Sequence, residues 1–236
     1  MEQELPLAAG VEFAHAAAQA LANLDQLDVL HIKGPAVHPA LLSRAGAGEE
    51  LTDHPRHSMD ADVLVRPSQA QALIDRLKEH GWRLKVPFSG GSSFEHAATL
   101  THRVMAPLDV HRCFPGVGID REVAFDILWR ARTVQTIGGI DCWVPSLAAQ
   151  RLILLLNTAR GATRHSDVVT TWELGSRAER QQVRDLAAHL DAEVALAAAL
   201  GELDGYTGRR EHGLWQVLSA GTGTPRWSVV GIAIEP

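Results

Sequence analysis

The sequence predicts an α+β fold, with a mixed sheet and helices over residues 1–144 and a mainly helical part over residues 145–236. Up to Pro145, short apolar stretches with strand character alternate with stretches of helical periodicity. Beyond Pro145 the helical spacing dominates, apart from one last strand predicted at 227–234. Hydrophobic residues make up 46% of the 236 residues, which suffices for a real core and excludes a disordered chain.

The first elements are a helix, a strand and a second helix. Residues 11–24 are rich in alanine with apolar residues at helical spacing, and residues 28–32 predict a strand. The strand runs into the turn Lys33-Gly34-Pro35, and a helix is expected over 36–44 because proline suits the first helical turn. Residues 45–57 are small and polar, so they predict a loop.

The next strand lies in the stretch HSMDADVLVR, residues 57–66, where two aspartates precede an apolar run. A helix starts at Pro67 and stops at Gly81. We expect four or five strands in the sheet. The remaining elements of this half are strands within 82–86, 94–101 and 106–113, a helix over 121–132, and a hairpin turned at Gly138-Gly139.

Charge and cysteine usage exclude several classes of protein. The formal net charge is -6 and the sequence pI is near 6.0, so no stable nucleic-acid binding is expected. Cys113 and Cys142 are too few for a disulfide framework and are expected to be reduced core residues. The segment MEQELPLAAG carries no targeting signal, and the apolar run 152–156 is too short for a membrane span. A soluble, cytoplasmic protein without a membrane partner is expected.

Three carboxylates form the main candidate site. Asp60 and Asp62 flank one alanine at the start of a strand, so an extended chain directs both to one face. Asp109 lies on a later strand of the same sheet. Convergent carboxylates suit Mg²⁺ or Mn²⁺, and two such ions promote in-line phosphoryl displacement. The plainer interpretation of Asp-x-Asp stays open, with one acid capping a turn and the other facing solvent.

Other residues extend this site. Lys33 and Gly34 end a strand before a predicted helix, an arrangement suited to phosphate oxygens, or else a simple entry turn. Arg56 lies four residues before Asp60 and can reach a phosphate, or it is a solvated loop residue. His111 lies two residues after Asp109 on the same strand face, where it either orients a ligand or is structural. The spacing of the histidines offers no convincing zinc site.

The motifs HIKGPAVHPALL, RHSMDADVLV, HGW and LDVH, followed by LILLLNTARG, resemble the uncharacterised nucleotidyltransferase family of the DNA polymerase β-type superfamily. The resemblance covers about residues 28–165. It implies a polymerase β-like mixed sheet, paired metal ligands at Asp60 and Asp62, and a third carboxylate at Asp109. Lys33 and Gly34 replace the glycine-serine signature of better known members.

The function expected from the motifs and the resemblance is transfer of a nucleoside monophosphate from a nucleoside triphosphate (NTP) to an acceptor. The acceptor group is a hydroxyl, phosphate or amine on a small molecule or peptide, as in modified-peptide or small-molecule biosynthesis. Catalysis is assigned to Asp60, Asp62 and Asp109 with Mg²⁺ or Mn²⁺, and nucleotide binding to Lys33, Gly34, Arg56 and His111. The alternative is a catalytically weak accessory or antitoxin-like module that binds a nucleotide or a partner.

Overall fold

The computed structural model describes residues 7–42, 58–91, 94–161 and 166–220. A five-stranded sheet has the order β1-β2-β5-β4-β3, in which only β2 and β5 are parallel neighbours. This mixed sheet with its helices confirms the predicted α+β class. The strands are β1 (Val29–Ile32), β2 (Ala61–Val65), β3 (Arg83–Val86), β4 (Ala97–Thr101) and β5 (Leu108–His111), and a separate hairpin contains β6 (Thr133–Ile137) and β7 (Ile140–Val144).

Helices surround the sheet, and beyond residue 145 they are the only regular elements in the described part of the chain. None of the described helices is long and apolar enough to cross a membrane. The loop predicted at 45–57 and the strand predicted at 227–234 lie outside the described residues. The helices are α1 (Leu7–Leu24), α2 (Ala70–Glu79), α3 (Phe88–Gly91), α4 (Arg121–Arg130), α5 (Leu147–Thr158), α6 (Ser166–Val168, continued by a π-helical turn Val169–Glu173), α7 (Arg177–His189), α8 (Glu193–Leu200) and α9 (His212–Ser219).

The two faces of the sheet pack against different helices, because side chains alternate along each strand. Val63 and Val65 of β2 belong to a core shared with α1 and α2. Leu64, between them, belongs to a second core that contains Leu152 and Leu155 of α5. Asp62 has the same parity as Leu64, so the strand directs it to the α5 face. The second core joins residues on both sides of residue 145, and the domain boundary there stays a prediction.

The helix predicted over 36–44 is wrong for its described part. The chain instead makes two short 3-10 turns, Gly34–Ala36 and Pro39–Leu41. Pro39 has no N–H to donate to the carbonyl of Pro35, and it favours an extended conformation at His38, whose ψ is 135°. The carbonyl of Pro35 accepts a bond from Gln135 Nε2 at 2.6 Å instead. Residues 36–42, the described part of the predicted helix, therefore do not form an α-helix.

A buried histidine pair joins α1 to β1. The Nδ1 atoms of His15 and His31 are 2.8 Å apart, and His31 Nε2 lies 3.1 Å from Gln19 Oε1. The amide oxygen only accepts, so His31 Nε2 donates and His31 Nδ1 accepts from His15 Nδ1. His15 Nε2 is then an unprotonated, buried atom without a hydrogen-bond partner among the described residues. Burial lowers the pKa of His15 to about 4 and that of His31 well below its usual value.

We predict that this pair makes the fold sensitive to acid. The folded pKa of His15 lies below that of the unfolded chain, so its contribution is complete above about pH 6.5 and is lost as the pH falls toward 4. His15 alone should lower the free energy of unfolding by about 2 kcal/mol between pH 7 and pH 5. Urea unfolding of His15→Gln at both pH values should show a smaller drop than the wild type. The exposed control His189→Gln should keep the wild-type drop, and equal drops in all three proteins would contradict the assignment.

Candidate active site

The parallel pairing of β2 and β5 brings the acidic residues of the two strands together. Asp62 lies opposite Asp109, and Leu64 lies opposite His111. The side chains of Asp62, Asp109 and His111 each offer a ligand atom, and these atoms all lie within 4.8 Å of one another. The sheet register therefore builds a compact cluster of two carboxylates and one imidazole on the face that packs against α5.

Asp62 is the buried centre of this cluster, with 3% of its surface exposed. Its Oδ1 accepts hydrogen bonds from Lys33 Nζ at 2.6 Å and from His111 Nε2 at 2.8 Å. Burial by itself raises the pKa of a carboxyl group, but the Lys33 charge and the His111 bond reverse this effect and hold the pKa of Asp62 well below its usual range. Asp62 is therefore an anion at neutral pH.

The backbone at Lys33 and Gly34 explains how the lysine reaches Asp62. Lys33 has φ 60° and ψ -176°, a conformation that costs roughly 1–3 kcal/mol in a residue with a side chain. Gly34 also has a positive φ, 46°, and a Cβ there would lie 2.9 Å from the Cβ of Ser58. Glycine thus allows the end of β1 to approach the segment that leads into β2. Lys33 and Gly34 thus form a close-packed turn that places the Lys33 ammonium beside Asp62.

Asp109 and Asp60 complete the acidic group. Asp109 Oδ1 accepts a 2.6 Å bond from Thr99 Oγ1, its neighbour across β4 and β5. Asp60 precedes β2, and Ser58 Oγ lies 2.7 Å from its carbonyl oxygen and 3.4 Å from Oδ1. Partial burial and the negative charges of Asp62 and Asp109 raise the pKa of Asp60. The two neighbours are therefore close enough to repel a charge on Asp60.

The donor set fits a divalent cation. Carboxylate oxygens are the ligands that Mg²⁺ and Mn²⁺ prefer, and Mn²⁺ also accepts an imidazole. His111 Nδ1 is buried and has no hydrogen-bond partner among the described residues. A cation would also relieve the repulsion that raises the pKa of Asp60. Lys33 competes with it, because the ammonium already contacts Asp62 Oδ1.

A second cationic side chain enters the site from the helical part. Ser146 caps helix α5 by accepting a hydrogen bond from Ala149 N at its Oγ, and the helix ends at Thr158, two residues before Arg160. Arg160 donates to Asn157 Oδ1 at 2.7 Å, and its Nη1 lies 3.4 Å from His96 Nε2. Burial lowers the pKa of Arg160, and the charge of Asp62 opposes that effect. Arg160 therefore lies within electrostatic reach of Asp62.

His96 is the other residue to which the sequence analysis assigned no role in this site. Burial, followed by the charges of His111, Arg160 and Lys33, lowers the pKa of His96 to about 3, so it is neutral and accepts from Arg160. Its ring lies 5.4 Å from that of His111. The stretch LILLLNTARG contains Arg160, but helical spacing alone does not show that its end reaches the sheet.

The predicted residues fall into two groups. Asp60, Asp62, Asp109, Lys33 and His111 lie together, and Gly34 shapes the turn that positions Lys33. Their assigned roles in catalysis, metal binding and nucleotide binding stay predictions. Arg56 lies outside the described residues.

Comparison with known proteins identifies what the chain is similar to. A family model described as "Uncharacterised nucleotidyltransferase" matches residues 14–203. The lincomycin-bound lincosamide antibiotic adenylyltransferase LnuA is a structural match with 14% identity and a TM-score of 0.40, covering 75% of this chain and 95% of that chain. An antigenic nucleotidyltransferase-like protein from Paracoccidioides brasiliensis has 16% identity and a TM-score of 0.42, covering 79% and 92%. None of the curated proteins matches this chain.

We predict that Lys33→Met destabilises the fold by about 2 kcal/mol or more at pH 7, because Asp62 then keeps a buried charge with one fewer partner. The double variant Lys33→Met/Asp62→Asn should recover most of this loss, since the buried charge is removed. Urea unfolding measures both. The control is Lys78→Met, which breaks an exposed ion pair with Asp75 and should leave the free energy of unfolding unchanged. A double variant as unstable as Lys33→Met would contradict the compensation.

Proposed function

Because this chain belongs to the uncharacterised nucleotidyltransferase family, we propose that it transfers a nucleoside monophosphate from an NTP to an acceptor hydroxyl, amine or phosphate with the help of Mg²⁺ or Mn²⁺. The observation that carries the proposal is the convergence of Asp62, Asp109 and His111 beside Asp60. A structural role alone would not favour so many acidic groups close together, since carboxylates that share a site repel one another.

The carboxylates have two roles in this proposal, which are to hold the cation and to accept a proton. Asp62 stays ionised because of its two donors, so it is a ligand for the cation and a poor base. Asp109 is a second ligand for the cation. Asp60 and Asp109 are the groups that accept a proton from the acceptor, and the raised pKa of Asp60 favours this role. When bound, the divalent cation supplies positive charge that stabilises the negative charge developing on the phosphates.

The triphosphate is assigned to the cationic side of the site. Lys33 and Arg160 approach the carboxylates from β1 and from the end of α5, and both lie about 6 Å from the centre of the Phe114 ring. Two cations on one side of an acidic cluster provide donors for phosphate oxygens next to the cation-binding carboxylates. Lys33 then exchanges its contact with Asp62 for a contact with phosphate.

The reaction is a displacement at the α-phosphorus. The acceptor oxygen or nitrogen forms a bond to this phosphorus, and the bond from the phosphorus to the bridging oxygen of the β-phosphate breaks. Pyrophosphate leaves with the electron pair, and the acceptor proton passes to Asp60 or Asp109. An acceptor on a peptide or a small molecule in a biosynthetic route satisfies this chemistry.

One observation favours the second candidate, a catalytically weak module that binds a nucleotide or a partner. Lys33 Nζ lies 2.6 Å from Asp62 Oδ1, so a fixed positive charge already compensates the carboxylate. A site compensated in this way can bind phosphates without a cation. The two candidates therefore differ in whether nucleotide binding depends on a divalent metal.

We predict that Mn²⁺ binds the wild type and that Asp62→Asn and Asp109→Asn each weaken this binding by about tenfold or more. Electron paramagnetic resonance of free Mn²⁺ measures it without any acceptor. With α-labelled NTPs, Mn²⁺ and a panel of small alcohols and amines, both variants should lose about a hundredfold or more of the pyrophosphate release.

The matched control is Asp75→Asn on the exposed surface of α2, which should behave like the wild type. Nucleotide binding that needs no metal, persists in Asp109→Asn and yields no pyrophosphate would support the accessory module and contradict the enzyme.

A further inference from the structure

A cavity of about 370 Å³ lies beyond the end of β5, between the loop 112–119 and helices α4, α8 and α9. This volume lies in the range of small-molecule sites. Its wall is mainly apolar and aromatic. The side chains that define it include Leu64, Phe94, Phe114, Phe125, Leu214 and Trp215.

The cavity and the carboxylate cluster share a wall. Phe114 lines the cavity, and its ring stacks on that of His111 with the centroids 6.2 Å apart. Leu64, also in the lining, follows Asp62 by two residues on the same face of β2 and pairs with His111. A molecule in the cavity is therefore adjacent to the reacting centre.

The loop that forms the cavity floor is held in place by close packing. Gly116 has φ +102°, and a Cβ there would lie 2.8 Å from the Cβ of Ala195 and 3.3 Å from the Trp215 ring. The N–H of Gly118 donates to the carbonyl of Leu190 at 3.0 Å. Glycine at 116 thus lets the loop lie directly on α8 and α9. These contacts fix the cavity shape before any ligand enters.

Three of the four charged side chains of the lining have an ionic partner in the protein, and the fourth, Arg121, is exposed to solvent. Arg112 donates to Glu95 at 3.2 Å. Asp191 accepts from Arg209 at 2.8 Å, and the same guanidinium lies 3.7 Å from Glu211. An anionic polyphosphate would gain little here compared with the side of the cluster where Lys33 and Arg160 lie. The lining instead suits a compact molecule with an apolar body.

We propose that this cavity binds the acceptor, and that the acceptor is a compact molecule with a mainly apolar, ring-containing body and one hydroxyl or amine. The inference rests on the proposed nucleotidyl transfer. The apolar body packs among Phe94, Phe114 and Trp215, and the nucleophilic group lies on the side of Phe114 and Leu64, next to the carboxylate cluster. Its oxygen or nitrogen bonds to the α-phosphorus, pyrophosphate leaves with the electron pair, and the proton passes to a carboxylate.

The test uses 2-naphthol, a compact aromatic alcohol, as the probe. Leu214→Trp places an indole at a partly buried position of the lining, and Val217→Trp places the same side chain on the exposed surface of α9, outside the lining. Titration calorimetry should show that the wild type and Val217→Trp bind 2-naphthol equally. Leu214→Trp should bind it at least about tenfold more weakly, while binding of the NTP with Mn²⁺ stays within about twofold.

A second variant, Leu214→Ala, tests the same position without adding bulk, in case the Leu214→Trp protein does not fold. It removes packing surface and should weaken 2-naphthol binding by about fivefold. Mass spectrometry should find nucleotidylated 2-naphthol with the wild type and Val217→Trp. The adduct should be absent with Leu214→Trp.

Three results would overturn the inference: no binding of 2-naphthol to the wild type, equal binding to both tryptophan variants, or a loss of NTP binding in Leu214→Trp, which would assign the cavity to the nucleotide base. Failure of the proposed function has another pattern. In that case 2-naphthol binding responds to Leu214 as expected, but no adduct forms, and Asp109→Asn changes neither Mn²⁺ binding nor pyrophosphate release.

Discussion

The buried charge of Asp62 is the constraint on which the rest of the site depends. A carboxylate with 3% of its surface exposed requires donors, and this chain supplies them from two other strand ends: Lys33 after β1 and His111 at the end of β5. The strained backbone of Lys33 and the close approach at Gly34 place the lysine ammonium where it can donate to Asp62. The contacts of Asp62 with Lys33 and His111 thus link the ends of β1, β2 and β5, in addition to the backbone hydrogen bonds between these strands.

The two faces of the sheet carry different polar residues. Val63, Leu108 and Val110 lie in the core under α1 and α2, where the buried polar residues include the neutral histidine pair and Gln19. The alternate residues Asp62, Asp109 and His111 face the second core, which α5 and the later helices build. The cavity lies next to this face, between the loop 112–119 and helices α4, α8 and α9, and Leu64 is part of its lining.

Under the proposal, the apolar cavity is the site of the second reactant. Phe114 lines this cavity and lies near His111, Lys33 and Arg160. Charged phosphates and an apolar acceptor body need opposite surroundings, because phosphate requires donors and apolar surface requires exclusion of water. Both kinds of surroundings lie next to Phe114.

Much of the carboxylate cluster could be predicted from the sequence, because strand alternation and residue chemistry are local. The period of two predicted that Asp109 and His111 share a face, and the motifs of residues 28–165 led to the family. The local pattern failed at residues 36–44, where Pro39 interrupts the predicted helix. It also missed Arg160 and His96, whose importance comes from contacts between residues 64 positions apart. The pairing of β2 with β5, the Lys33 contact with Asp62 and the cavity behind Phe114 were decided only by the tertiary structure, because each depends on which distant segments pack together.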